Sequence, residues 1–182
     1  MSLTQYYTAT ALDGFITDEK HSLEWLFTRD QDRAGPLNFN DFVADVGVSA
    51  MGATTYEWVI DHELKDKDPS EWTSPFSTPS WVFTHRELPV IPNAPIEFVQ
   101  GDVSGVHERM VEAAGGKNVW IVGGGDLAGQ FADAGLLDEV IVYVAPVTLG
   151  AGAPLLPRRL ELRLEETARN GDFVTARYAV VR

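Results

Sequence analysis

The chain of 182 residues predicts an α/β sandwich, a mostly parallel sheet flanked by helices and finished by an antiparallel edge. Strand and helix patterns alternate through the middle of the sequence. The last stretch, LELRLEETARNGDFVTARYAVV, reads as two alternating strands about an NGD turn. The length suits one domain over residues 1–182, with no internal repeat.

The elements follow in order. Thr4 to Thr10 alternates and is rich in β-formers, which predicts a first strand, and Asp13-Gly14 supplies turn chemistry after it. HSLEWLFTRDQDRAGP is polar with Leu23, Trp25, Leu26 and Phe27 embedded, a loop plus a short turn. In NFNDFVADV, Phe39, Phe42, Val43 and Val46 share a helical face with Asn38 or Asn40 as cap. VGVSAMG is a short buried strand, and TTYEWVI opens a helix at Thr54 or Thr55. Residues 61 to 80 are charged, then Pro/Ser-rich, and form a surface excursion. WVFT and IEFVQ are strands. SGVHERMVEAAG is a helix capped by Ser104 and ended at Gly115-Gly116. VWIV is a strand, DLAGQFADAG a helix stopped by Gly135, and DEVIVYVAPV a long apolar strand.

Composition narrows the function. A net charge of −13 repels nucleic acid and anionic membrane, so neither is expected as a partner. Phosphate-bearing ligands must then be held by helix ends or a few placed Arg residues. With no cysteine there is no disulfide, thiolate metal site or catalytic thiol, in keeping with a cytoplasmic setting. The N-terminal stretch lacks the pattern of a signal peptide, and no run is long enough to span a membrane.

VWIVGGGDLAGQF places three bare residues, Gly123, Gly124 and Gly125, between a strand and a helix. Such a turn presents backbone N–H groups and a helix dipole to a phosphate, or it is a tight packing turn. Its spacing misses the dinucleotide-binding G-x-G-x-x-G by one residue. In SAMGATTYEWV, Gly52 and Thr55 stand at a second strand-to-helix turn, where a threonine either caps the helix or helps hold a second phosphate. Thr84, His85 and Arg86 close a third strand, beyond whose carboxyl end α/β sheets bind ligands; Arg86 reads equally as a solvated charge. Three such turns on one sheet edge make a dinucleotide-sized crevice.

In this order the three pieces resemble dihydrofolate reductases: MGATTYE is similar to M-G-R-x-T-[WY]-E, WVFTHRE to the next cofactor strand, and VWIVGGGDLAGQF to V-x-G-G-G-x-x-x-x-x-F. ALDGFI and GLLDEVIVYVAPVTLGAGAPLL resemble the reductase domain of riboflavin biosynthesis and its stand-alone bacterial relatives. The resemblance spans roughly Tyr6 to Tyr178. It implies a dihydrofolate-reductase-like three-layer sandwich that binds NADPH, NADH not being excluded, and reduces a small heterocycle. The cofactor contacts it implies are Gly52, Thr55, Thr84, His85, Arg86, Gly123, Gly124, Gly125, Asp126 and Leu127, with Arg86 on the 2′-phosphate. On the substrate side it implies Leu12, Asp13 and Trp25, and a homodimer.

Departures fall mostly on that substrate side. Ala53 replaces the Arg that follows the first cofactor glycine, and Phe15 replaces a basic residue after L-D-G. Ser22 stands where dihydrofolate reductases carry their pterin-orienting acid, and no T-x-x-x-D-x-P stretch follows Thr55. Asp13 is the first candidate catalytic acid, with a structural reading as a turn aspartate beside it, and Glu24 is the weaker candidate, a residue that in such a place is more often a surface charge. The zinc deaminase attached to many riboflavin reductases needs cysteines this chain lacks. GVSAMG is too long for a nucleophile elbow, and GGKN lacks the phosphate-loop spacing. His21, His62, His85 and His107 are scattered, so no metal site is expected.

Overall fold

A computed structural model describes residues 2–182. Eight strands form one sheet: β1 (Thr4–Ala11), β3 (Val46–Gly52), β4 (Ser80–Phe83), β5 (Ile96–Val99), β6 (Asn118–Gly123), β7 (Glu139–Ala145), β9 (Leu162–Asn170) and β10 (Phe173–Val180). Their order is β5-β4-β3-β6-β1-β7-β10-β9. Neighbours from β5 to β7 pair in parallel, and β10 joins β7 and β9 antiparallel. The sheet is therefore mixed but mostly parallel, closed by the C-terminal hairpin.

The inner strands β3, β6 and β7 are apolar at consecutive positions because both faces are covered. On one face Tyr6, Ala50, Ile121 and Val142 pack with Met110 of α4 (Val103–Ala113) and Phe131 of α5 (Gly125–Asp133). The alternate residues point the other way. Met51 and Val82 meet Tyr56 and Ile60 of α3 (Ala53–Glu63). Tyr7, Ile141 and Tyr143 meet Leu26 of α1 (Glu24–Phe27) and Phe42 of α2 (Phe39–Ala44). Three layers result.

The element ends show what sequence reading misses. Asn38 caps α2, its side chain accepting from Asp41 N at 2.9 Å, as expected. The α4 cap is Asp102 rather than Ser104: its carboxylate accepts from Ser104 N at 2.7 Å, and an ionised acceptor also favours the helix dipole. The α3 cap is Gly52 rather than Thr54 or Thr55, because the helix begins directly where β3 ends. A small second sheet, β2 (Phe15–Thr17) against β8 (Ala153–Pro154), carries no alternation to signal it; tertiary pairing alone creates it.

Candidate functional site

The carboxyl ends of β3, β4, β5 and β6 open on one cavity of about 550 Å³. Two helices point their N-termini at it. Gly52 caps α3 and Gly124 caps α5, and neither offers a side-chain acceptor to the first-turn N–H groups. Those donors are the ones a helix leaves without an internal partner. The two turns lie together: Met51 pairs with Gly123, and a Cβ added to Gly52 would stand 3.9 Å from Gly124 N.

Each of the three consecutive glycines has its own surroundings. Gly123 holds φ +155, and a Cβ there would lie 3.3 Å from Thr55 Oγ1. Gly124 is in ordinary extended backbone and lines the cavity, with open space where a Cβ would be. Gly125 is a close approach: a Cβ there would run into the carbonyl oxygens of Pro154 and Leu155. One glycine is thus imposed by packing, and one leaves bare main chain on the cavity wall.

A match to the sequence profile of the RibD C-terminal domain covers residues 4–172. The chain belongs to that family. It is 29% identical over 184 residues to the uncharacterised protein YwjB of Bacillus subtilis (strain 168), covering 96% of each chain. A protein assigned to riboflavin biosynthesis in Shewanella sp. PV-4 shares the fold with TM-score 0.81 at 23% identity, covering 99% of both chains. Dihydrofolate reductase of Enterococcus faecalis, solved in complex with NADP(H) and RAB-propyl, gives TM-score 0.56 at 12% identity over 99% of this chain and 97% of that one. The three-layer sandwich is dihydrofolate-reductase-like.

Within this RibD C-terminal domain, every cofactor-side candidate except Arg86 lines the cavity. Thr84 is buried, and its hydroxyl is engaged in its own turn, accepting from Arg86 N at 2.9 Å and donating to Arg86 O at 3.2 Å. The Arg86 guanidinium is held outside by Glu57, at 3.0 and 2.8 Å in a bidentate pair. Asp126 sits in the first turn of α5, accepting from Gln130 and from Arg158, each at 2.9 Å. Those contacts, Gln130 foremost, hold its carboxyl below the usual carboxylate range.

The substrate-side candidates stand elsewhere. Asp13 does not line the cavity; its carboxylate accepts from Gly150 N at 2.7 Å and Leu149 N at 3.0 Å, and these bonds, Gly150 first, lower its pKa. Leu12 is 68% exposed and Glu24 is exposed on α1. Trp25 packs beside Tyr7 and Phe173 in the layer under the sheet. In their place the cavity is completed by Ile16, Thr17, His21, Leu23, Trp58 and Val59. Trp58 and Val59 were legible in principle, since positions three and four beyond Thr55 share its helical face. His21 and Leu23 lie in the irregular stretch between β2 and α1, whose approach to the cavity no local pattern signals.

Proposed function

We propose that this chain is a nicotinamide-dinucleotide-dependent reductase that delivers hydride to a small heterocycle, with NADPH as donor, in the manner of the aminouracil reductases of riboflavin biosynthesis. One observation carries the reading: two helix N-termini without side-chain caps converge with bare Gly124 on a single cavity. Unpaired amide donors and a positive dipole end suit phosphate groups on a chain whose net charge is otherwise −13. The open space above Gly124 is where a ligand would lie against main chain.

The residues that would hold the dinucleotide are the turn at Gly52 to Thr55, the turn at Gly123 to Leu127, and Thr84 with His85. When bound, it supplies the hydride. The protein's own work is orientation and dryness. Ile16, Leu23 and Val59 keep water from the reacting carbon, while Thr8, Thr17 and His21 are wall residues that carry exchangeable protons. Asp13 contributes by fixing the turn at Leu149-Gly150 rather than by touching substrate. A homodimer in the cytoplasm completes the proposal, and sedimentation of the purified chain tests its first half.

Calorimetry with NADPH and NADH, followed by cofactor oxidation against aminouracil and dihydropterin substrates, is the direct test. Binding with turnover supports the reductase. Binding without turnover across the panel leaves a nucleotide-binding module instead, and no heat with either cofactor removes both.

A further inference from the structure

Resting on the reductase reading, we propose that the substrate end of the cavity grips a flat, uncharged heterocyclic ring by stacking on Trp58, and that it has no subsite for a phosphate arm. Trp58 lines the main cavity and an adjoining one of about 430 Å³, so its half-buried indole is a wall common to both. It is braced from behind the wall. The His62 ring lies 4.5 Å from it and 14° from parallel, and Phe27 of α1 lies 5.4 Å from His62 at 18° and 6.1 Å from Trp58 at 27°. A ring held in this way is pre-organised, and an aromatic face accepts a second planar ring at little further ordering cost.

Charge decides the class of ring. Among the described residues no Lys or Arg lines the main cavity; its ionisable side chains are His21, His85 and Asp126. Asp126 is committed to Gln130 and Arg158 on α5. The substrate end thus offers no carboxylate to orient a cationic amidine such as a protonated pterin. In the adjoining cavity Lys20 shares the wall with Glu57 and Asp61, and Glu57 is paired with Arg86, so a phosphate reaching there meets cations matched by carboxylates and no net positive charge. Glu57 in turn holds Arg86 away. Ile16, Leu23 and Val59 supply the apolar walls a neutral ring needs.

The test uses lumazine (pteridine-2,4-dione), uridine and uridine 5′-monophosphate as probes of the full chain, by calorimetry with and without saturating NADP⁺. Saturable lumazine binding is expected, weakened about five- to hundred-fold in Trp58→Ala, the range that loss of a stacking partner costs. Trp58→Phe should recover most of it, and both variants should bind NADP⁺ like the parent, which reports an intact fold. Uridine and its monophosphate should compete with lumazine equally. Unchanged lumazine affinity in Trp58→Ala, no saturable lumazine binding by the parent chain, or a monophosphate that competes about ten-fold better than uridine would each overturn the proposal. A chain that binds lumazine with this Trp58 dependence but ignores NADP⁺ would sink the reductase reading and leave the stacking slot standing.

Discussion

Replacing Gly124 and Gly125 singly with alanine separates ligand binding from packing within two adjacent residues. A methyl at Gly125 meets two backbone carbonyls, of Pro154 and Leu155, that no rotamer change can clear. Overpacking of this kind costs about 1–3 kcal/mol, and with both obstacles in main chain the upper half of that range applies. The stiffer unfolded chain of an alanine variant returns about 0.4–1 kcal/mol. The net loss is about 1–2.5 kcal/mol, a fall in Tm of roughly 3–8 °C for a domain of this size. At Gly124 the backbone is φ −78, ψ −180, which alanine adopts freely, and nothing lies within 4 Å. The entropy return there is offset by alanine's poorer service as a helix cap, about 0.5–1 kcal/mol, so Tm should barely move. The added methyl occupies the cavity wall, however, and NADPH affinity should fall about ten-fold or more. Differential scanning calorimetry and titration of both variants read the two effects. Parental NADPH affinity in Gly124→Ala would refute the bare-backbone cradle, and a parental Tm in Gly125→Ala would refute the packing argument.

Arg86 reaches a 2′-phosphate only by leaving Glu57, an exposed pair worth about 0–1 kcal/mol. A charged hydrogen bond to phosphate is worth about 1.5–3 kcal/mol, so Glu57→Gln should tighten NADPH a few-fold and leave NADH unchanged; equal shifts for both cofactors would place Arg86 outside the site. His107 is half-buried, bonded to Thr4 Oγ1 at 2.7 Å, and its pKa is lowered by burial from the ordinary 6.5 against the opposing fields of Asp138 and Glu108. Below about pH 6.5 the unfolded chain therefore takes up a proton that the folded one refuses, and stability should drop as pH falls; His107→Gln should flatten that part of the Tm profile. For Asp13 the depressed pKa means its contribution is present above its ordinary 3.8 and lost as pH falls through the lowered value. The Tm difference between Asp13→Asn and the parent should accordingly shrink in acid, and a difference that grows would contradict the assignment. Phe131, fully buried beneath Phe83 and His107, should cost about 3–5 kcal/mol when cut to alanine, read by denaturant midpoint.

What was legible in the sequence is what backbone and periodicity decide. Tyr6 and Tyr7 enter opposite layers because strand side chains alternate, and the terminal hairpin turns at Gly171, whose φ is +59. The glycine turns were legible for the same reason, since a missing side chain is itself a conformational statement. What was not legible depends on residues far apart in the chain. Nothing local to Arg86 reveals Glu57, twenty-nine positions earlier, as its partner. Nothing near Asp13 reveals Leu149 and Gly150 as the donors that occupy its carboxylate. The resemblance implies Trp25 on the substrate side, yet it is Trp58 that reaches the cavity, because α1 is a single turn that lies behind the wall and braces it.

Two of the resembling stretches, ALDGFI and the segment through GAGAPLL, are physically one device. Asp13 grips Leu149 and Gly150; Leu155 N donates to Gly14 O at 2.9 Å; and Tyr6 Oη donates to Leu155 O at 3.0 Å. A Cβ on Gly152 would collide with Thr17 O, so that glycine lets β8 lie against β2. The same segment then presses Pro154 and Leu155 onto Gly125 and sends Arg158 across α5 to Asp126 and Asp133, at 2.9 and 2.8 Å. The clasp therefore touches the glycine turn from one side and carries Ala153 and Pro154 into the cavity wall on the other. A change at Asp13, which contacts neither cavity nor glycine turn, should reach the dinucleotide through this route. Asp13→Asn keeps the shape but weakens acceptance from two N–H groups, so NADPH and NADH should loosen together, by the same factor. An effect confined to one cofactor would mean that Asp13 acts by some path other than the clasp.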